Sequence, residues 1–352
     1  VSNPIDMIAS ADTGSFRACL RILLESEAVD LVIVAFVPPI MVDPMDVVRA
    51  VAETMRGTEK PVLMVVMAEE QYYRRIPAEI PDAPPVYRYP EAAAYAASEL
   101  ANWAEWRTRD PGVVPELDVD ADAARRILEQ EGVAGQYLDP DAAFRLLAAY
   151  RFPLVPWRLV HTAEEAVAAA EELSYPVALK VGGRRIVHKS DVGGVELGLK
   201  GPLELEGAFA RMSRALARLG HDPAGEGFLV QPMAKGAQEV ILGMSMDAVI
   251  GPVLLFGLGG KYVEVLKDVA LRVHPITDVD AQEMVASIRG FELLKGVRGE
   301  AGVALVPVYD ALLRLSALVT DFPRIAEVDL NPFLLSASAA GCRIVDARIR
   351  LG

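Results

Sequence analysis

At 352 residues, 52% of them hydrophobic, the chain is long enough for two or three packed domains and too apolar to be disordered. Its formal net charge of −14 argues against nonspecific binding to nucleic acid or to an anionic membrane, while leaving room for a local basic pocket. Cys19 and Cys342 form neither a metal-ligand spacing nor a disulfide framework, which points to a reducing, cytoplasmic compartment. No apolar run is long enough to span a bilayer, and no basic segment followed by an apolar core opens the chain. Val as first residue is what a processed or excised piece of a longer chain would show.

The first hundred residues alternate helix and strand signals. Phe16 to Glu27 reads as a helix, and Asp30 to Phe36 is a continuous apolar run typical of a strand buried on both faces. Pro44 to Met55 carries helical spacing, and Pro61 to Met67 is a second buried strand. A short strand at Tyr87–Pro90 and an Ala-rich helix from Glu91 to Arg107 complete a small parallel sheet flanked by helices. Residues 110–120, with Pro111, Gly112, Pro115 and several acids, form the best linker.

Ala121 to Glu131 reads as a short helix. Asp139 is placed to cap the next one, with Pro140 at its first position, running to about Tyr150. Thr162 caps a further helix, with Glu165 closing a capping box. Tyr-Pro-Val-Ala-Leu then reads as a buried strand ending at Lys180. Beyond residue 195 the pattern becomes α+β. Strands are expected at 228–233, 238–245, 251–258, 325–330 and 343–345, the second and third antiparallel, with helices at 278–287 and 308–319.

Four segments carry chemistry. Residues 180–195 hold Lys180, then His188, Lys189, Ser190 and Asp191 on a presumed loop, then Gly193 and Gly194. A lysine, a diglycine and an imidazole in one short span suit phosphate, and neutral histidine is a nucleophile able to carry a phosphoryl group. Gln231 and Glu239 flank the end of an apolar strand and suit an adenine edge and a ribose hydroxyl. In Phe-Gly-Leu-Gly259-Gly260 the glycines permit close backbone approach, and Lys261, Glu264, Lys267 and Asp268 add charge beside them; a Gly-rich hairpin with a solvated charged face is the simpler alternative. In Glu327-Val-Asp329-Leu-Asn331-Pro, strand alternation puts two acids and an amide on one face, costly to bury without a cation. Such oxygen donors suit Mg²⁺, and Asp346, on the strand after a turn at Gly341, adds another; a solvated hairpin is the simpler alternative.

Taken in order, these segments resemble the NDP-forming acyl-CoA synthetases, relatives of succinyl-CoA synthetase that include the ADP-forming acetyl-CoA synthetases. His188-Lys-Ser-Asp-Val-Gly-Gly-Val195 is similar to the family's phosphohistidine segment. Phe256-Gly-Leu-Gly-Gly260, Gly296-Val-Arg-Gly299 and Glu327-Val-Asp-Leu-Asn-Pro332 also match. The resemblance implies an ATP-grasp domain over about 140–352, a linker and short helix over 111–139, and a small flavodoxin-like CoA-ligase domain over 1–110, where Asn3-Pro-Ile-Asp6 opens an α/β unit. It implies that an acyl-CoA and phosphate give an acyl phosphate, that the phosphoryl group passes to histidine, and that ADP or GDP then receives it, with Mg²⁺. His188 matches the second, relaying histidine, and Asp329 lies beside the phosphohistidine. Lys180, Gln231 and Glu239 fall at nucleotide positions, joined by the glycines 193, 194, 259 and 260, and Asn331 and Asp346 at metal positions.

Two departures are local. Gly182-Gly183-Arg184-Arg185 stands where the family has another sequence before the histidine, and Ser245–Val249 replaces a stretch containing Arg-Asp-Pro. No histidine precedes His161, so the primary phosphohistidine and the CoA-binding Rossmann domain are expected upstream, in the same or a separate chain, within an oligomer. The alternative is a regulatory synthetase-like module, as in acetyltransferase fusions; the intact His188 segment favours the enzyme. An ATP-grasp ligase joining a carboxylate to an amine needs no such histidine.

Overall fold

The computed structural model describes residues 3–8, 10–38, 42–184, 193–260, 268–296 and 301–352. The chain forms two compact units, Val1–Arg109 and Asp110–Gly352.

The first unit is a three-stranded parallel sheet in the order β1 (Val32–Phe36), β2 (Val62–Val66), β3 (Val86–Tyr87). The central strand is buried along its whole length, as its unbroken apolar run requires. Helix Thr13–Glu25 precedes β1, Pro44–Thr54 and Glu70–Glu79 join the strands, and Pro90–Thr108 follows β3. Asp43 starts the second of these: its carboxylate accepts from the N–H of Met45 at 2.9 Å, with Pro44 at the first helical position. Helix Glu70–Glu79 gave no sequence signal because it buries only Ile76 and carries Pro77. A cavity of about 730 Å³ runs along β1, lined by residues such as Asn3, Phe16, Cys19 and Ile33, and contains none of the site residues inferred above.

The second unit has two lobes with separate cores. The smaller is built on an antiparallel sheet of β4 (Arg158–Val160), β5 (Val177–Val181), β6 (Val195–Leu199) and β7 (Phe228–Pro232), ordered β4-β7-β5-β6. Helices Ala163–Leu173 and Pro202–Arg218 contribute Ala166, Ala170, Leu205, Ala208, Met212 and Leu216 to its core. The larger holds β8 (Gln238–Asp247), β9 (Gly251–Leu258), β10 (Val269–Val273), β11 (Ile325–Leu335), β12 (Arg343–Ile344) and β13 (Arg348–Leu351) in one antiparallel sheet. Its order is β10-β9-β8-β11-β12, with β13 also on β11. Helices Ala121–Glu131 and Pro140–Ala149 pack into this larger core although they precede the smaller lobe in the chain. Phe144 is fully buried there and meets Trp157 edge-on at 5.1 Å. Phe144→Ala is expected to cost about 3–5 kcal/mol in chemical denaturation.

Residues 110–120 form no helix or strand, as expected of a linker. Other boundaries differ from expectation for identifiable reasons. β11 runs on to Leu335 through a register shift between Leu330 and Phe333 that hides its second half from an alternation test. β6 contains Gly198 at φ 72°, and its Val-Glu-Leu-Gly-Leu pattern is too weak to mark a strand. Thr162 caps its helix as expected, but Glu165 accepts from the N–H of His161, one residue before the cap, at 2.7 Å. Asp139 sits at a helix start without capping it.

Candidate functional site

Lys180 lies near the end of β5 and is only 8% exposed. A buried ammonium needs partners, and its Nζ donates to the carbonyl of Val345 at 2.5 Å. That carbonyl belongs to the larger lobe, in the three-residue link between β12 and β13. The Val345 N–H donates in turn to the Pro332 carbonyl at 3.1 Å, so the link carrying Asp346 lies against the Asn331-Pro332 segment. Lys180 therefore reaches across from one lobe to the edge where both expected metal residues lie. At the base of the same strand, Val181 N–H donates to the Gly194 carbonyl at 3.0 Å, and Gly193 takes φ 67°, a conformation suited to glycine.

On β7, beside β5, Gln231 pairs in register with Ala178 and is 2% exposed. Its Nε2 has no hydrogen-bond partner among the described residues. A buried amide left this way costs about 1–3 kcal/mol. Glu239 lies on β8, exposed, opposite Leu334 of β11. The two glycines after β9 are fitted to it. Gly259 N–H donates to the Glu239 carbonyl at 2.6 Å, and a Cβ on Gly259 would stand 2.9 Å from the Glu239 backbone. Gly260, at φ 65°, would bring a Cβ within 3.1 Å of Glu239 Oε2.

The acidic strand differs from expectation. Glu327 and Asp329 on β11 stand opposite Arg350 and Arg348 on β13, so cross-strand arginines answer the two acids. Glu327 is engaged by Arg350 Nε at 3.0 Å and by the Tyr137 hydroxyl at 3.1 Å. Burial pushes the Asp329 carboxyl above the usual carboxylate range; Arg348 opposes this, and Asp346 and Glu327 add to it. The register shift against β8 falls between Leu330 and Phe333, and the alternation of buried Val328 and Leu330 with less buried Asp329 runs on to Asn331, which is exposed. Asp346 is half-buried in the link rather than on a strand. Among the described residues, no group of three or more His, Cys, Asp or Glu side chains could hold a metal ion. Asn331 and Asp346 supply hard oxygen donors, few in number, the kind of set that suits Mg²⁺ completed by water and phosphate.

Asp268 is not part of a solvated charged face. It is buried, and its two carboxylate oxygens accept from the N–H groups of Arg289 and Gly290 at 2.8 and 2.6 Å. His188, Lys189, Ser190 and Asp191 lie outside the described residues, as do Lys261, Glu264, Lys267, Arg298 and Gly299. Gly182 and Gly183 pack closely: their added Cβ atoms would stand 2.6 Å from Glu226 O and 2.0 Å from Glu226 Oε2. Arg184 and Asp139, joined across the lobes at 2.5 Å, gave no signal as a pair because 45 positions separate them.

Comparison with known proteins bears on this arrangement. Residues 129–351 match the family model described as an ATP-grasp domain. The chain is similar to the ADP-forming 4-hydroxybutyrate–CoA ligase of Nitrosopumilus maritimus, 33% identical over 350 residues, covering 99% of this chain and 50% of that protein. It thus spans about half the length of that relative. It is 36% identical over 228 residues to the β subunit of ADP-forming acetate–CoA ligase I of Pyrococcus furiosus, covering 65% of this chain and 97% of that subunit. Among solved structures, it resembles the dinucleotide-forming acetyl-coenzyme A synthetase 1 of Ca. Korarchaeum cryptofilum with TM-score 0.56 and 33% identity, covering 66% of this chain and 100% of that one. That structure is described as a complex with coenzyme A and Mg-AMPPCP, its phosphohistidine segment pointing towards the nucleotide binding site. Among the described residues, no helix is long and apolar enough to cross a membrane.

Proposed function

The chain belongs to the ATP-grasp family of ADP-forming acyl-CoA ligases, and from that premise we propose that it is the nucleotide-binding, phosphoryl-relaying part of such a ligase. The observation that carries the reading is the buried Lys180, reaching from the smaller lobe to the Val345 carbonyl beside Asp346. A cation at that point suits the phosphates of a nucleoside diphosphate. Gln231, with its unpartnered Nε2, suits an acceptor on the base, and Glu239 suits a ribose hydroxyl. Gly259 and Gly260 pack directly against Glu239, where an added side chain would press on its backbone and carboxylate. Asn331 and Asp346 would hold Mg²⁺, which supplies charge neutralisation between phosphate oxygens when bound.

On this reading His188 accepts a phosphoryl group through an imidazole nitrogen and delivers it to the terminal phosphate oxygen of ADP or GDP. The phosphorus–nitrogen bond breaks as the new phosphorus–oxygen bond forms. Asp329 lies on the strand leading to the metal residues and acts beside the phosphohistidine. Gly193 and Gly194 close the far end of the relay segment, where backbone N–H groups suit a phosphoryl oxygen. The acyl-CoA and primary phosphohistidine steps belong to further domains, in the same or a separate chain. The near-complete match to a β subunit supports that division.

Calorimetric titration of the folded chain with ADP, ATP, GDP and GTP, with and without Mg²⁺, tests the reading. Mg²⁺-dependent binding of at least one of the four is expected. Asp346→Asn is expected to weaken the Mg²⁺-dependent component by about tenfold, and metal-free binding by less. Absence of Mg²⁺-dependent heat with all four would overturn the nucleotide assignment.

A further inference from the structure

An aspartate at a helix start ordinarily accepts a hydrogen bond from the second or third helical N–H. Asp139 occupies that position in front of Pro140–Ala149, and its carboxylate does none of this. It turns instead to Arg184. Oδ1 accepts from the Arg184 backbone N–H at 2.8 Å, and Oδ2 accepts from Nε at 3.1 Å and from Nη2 at 2.5 Å. Arg184 Nη1 also donates to the carbonyl of Glu131, at 3.5 Å, where helix Ala121–Glu131 ends and a cation is favoured. Both carboxylate oxygens and three of the arginine's nitrogens are thus committed to one three-part contact, half-buried on each side. A fork of this kind is worth more than an exposed ion pair.

The two ends of the contact belong to different cores. The helices beginning at Asp139 and ending at Glu131 bury their apolar faces in the larger lobe. Arg184 stands three residues beyond β5 of the smaller lobe. The chain between is pinned as well. Val181 N–H donates to the Gly194 carbonyl and Gly182 N–H to the Gly227 carbonyl, each at 3.0 Å, while Gly183 admits no side chain beside Glu226. Four residues upstream, Lys180 makes its own tie to the Val345 carbonyl. Two ties from one rigid stretch to the opposite lobe fix a direction as well as a distance.

We propose that Arg184 and Asp139 are positioning residues for the nucleotide site. Their contact sets the angle of the smaller lobe so that the Lys180 ammonium meets the edge carrying Asn331 and Asp346. This rests on the nucleotide-binding reading and deepens it. Arg184 lies in the stretch where this chain departs from the family's sequence, so the device belongs to this chain's own residues.

Calorimetry with MgADP on the full chain tests it, comparing wild type with Arg184→Ala, Asp139→Asn, the double variant and Arg184→Lys, with thermal unfolding recorded for each. Each single variant is expected to weaken MgADP binding by about tenfold, the loss of one charge-assisted contact. The double variant is expected to lose no more than either single one, because the two residues act as one unit. Arg184→Lys keeps the charge but not the fork and is expected to fall between. A merely structural role would lower the melting temperature and leave the affinity of the folded protein unchanged. Wild-type affinity in folded Arg184→Ala, or additive losses in the double variant, would overturn the clasp alone. Failure of the wild-type chain to bind any nucleotide would overturn the underlying reading and the clasp with it.

Discussion

With the upstream domains supplied, His188→Ala is expected to reduce net formation of ATP from acyl-CoA, ADP and phosphate by about 10³-fold or more, because removing the nucleophile of a covalent relay leaves no group able to replace it. The chain alone is expected to show no such turnover, since no histidine precedes His161 and the CoA-dependent steps are assigned to other domains. Labelled ATP given to the complete system should place an acid-labile, alkali-stable label on this chain, as a phosphohistidine requires and a phosphoserine does not. The label should vanish in His188→Ala while Mg²⁺-dependent nucleotide binding persists. Net turnover at the wild-type rate in the variant would leave His188 an ordinary residue of its segment.

Lys180→Ala is expected to weaken MgADP binding by about a hundredfold, because on the proposed reading it removes a buried cation that would meet phosphate through charge-assisted hydrogen bonds. The same substitution removes the tie to the Val345 carbonyl, so some loss of thermal stability accompanies it. Two controls separate the effects. Lys180→Met preserves much of the side-chain volume without the charge and should bind as poorly as the alanine variant. Lys180→Arg keeps the charge and should retain part of the affinity. Unchanged MgADP affinity in folded Lys180→Met would remove Lys180 from the nucleotide site, whatever happened to the melting temperature.

The sequence revealed most where local rules suffice. The run that became β2 is apolar throughout because both faces are covered, and Lys180 ends a run of the same kind, whereas β1, equally apolar and expected to be covered on both faces, leaves Ile33 and Ala35 exposed. Pro44, Pro140 and Thr162 mark helix starts by their own backbone chemistry. The order of motifs along the chain revealed the ATP-grasp fold and the ligase family. What stayed hidden depends on partners distant in sequence. Strand alternation placed Glu327 and Asp329 on one face, but it could not show that Arg350 and Arg348, twenty residues on, would stand opposite them. It also could not foresee the irregularity between Leu330 and Phe333, beyond which Phe333, Leu334 and Leu335 are all buried. Asp268 read as a solvated charge because the N–H groups it serves belong to residues 289 and 290. Asp139 kept the signature of a cap while its carboxylate was taken by Arg184.

Among the described residues, the buried Nε2 of Gln231 has no hydrogen-bond partner, so on the proposed reading a base bound beside it would meet a donor that has already lost its water. Filling the cleft then does two things at once: it adds contacts, and it relieves a defect already built into the fold. A heterocycle presenting a lone pair there gains on both counts, whereas the same ring carrying a C–H gains on one. The difference is about 1–3 kcal/mol, or roughly one to two orders of magnitude in affinity. Recognition of the base would therefore rest on a donor that the right ring engages and a near-copy leaves unpaired.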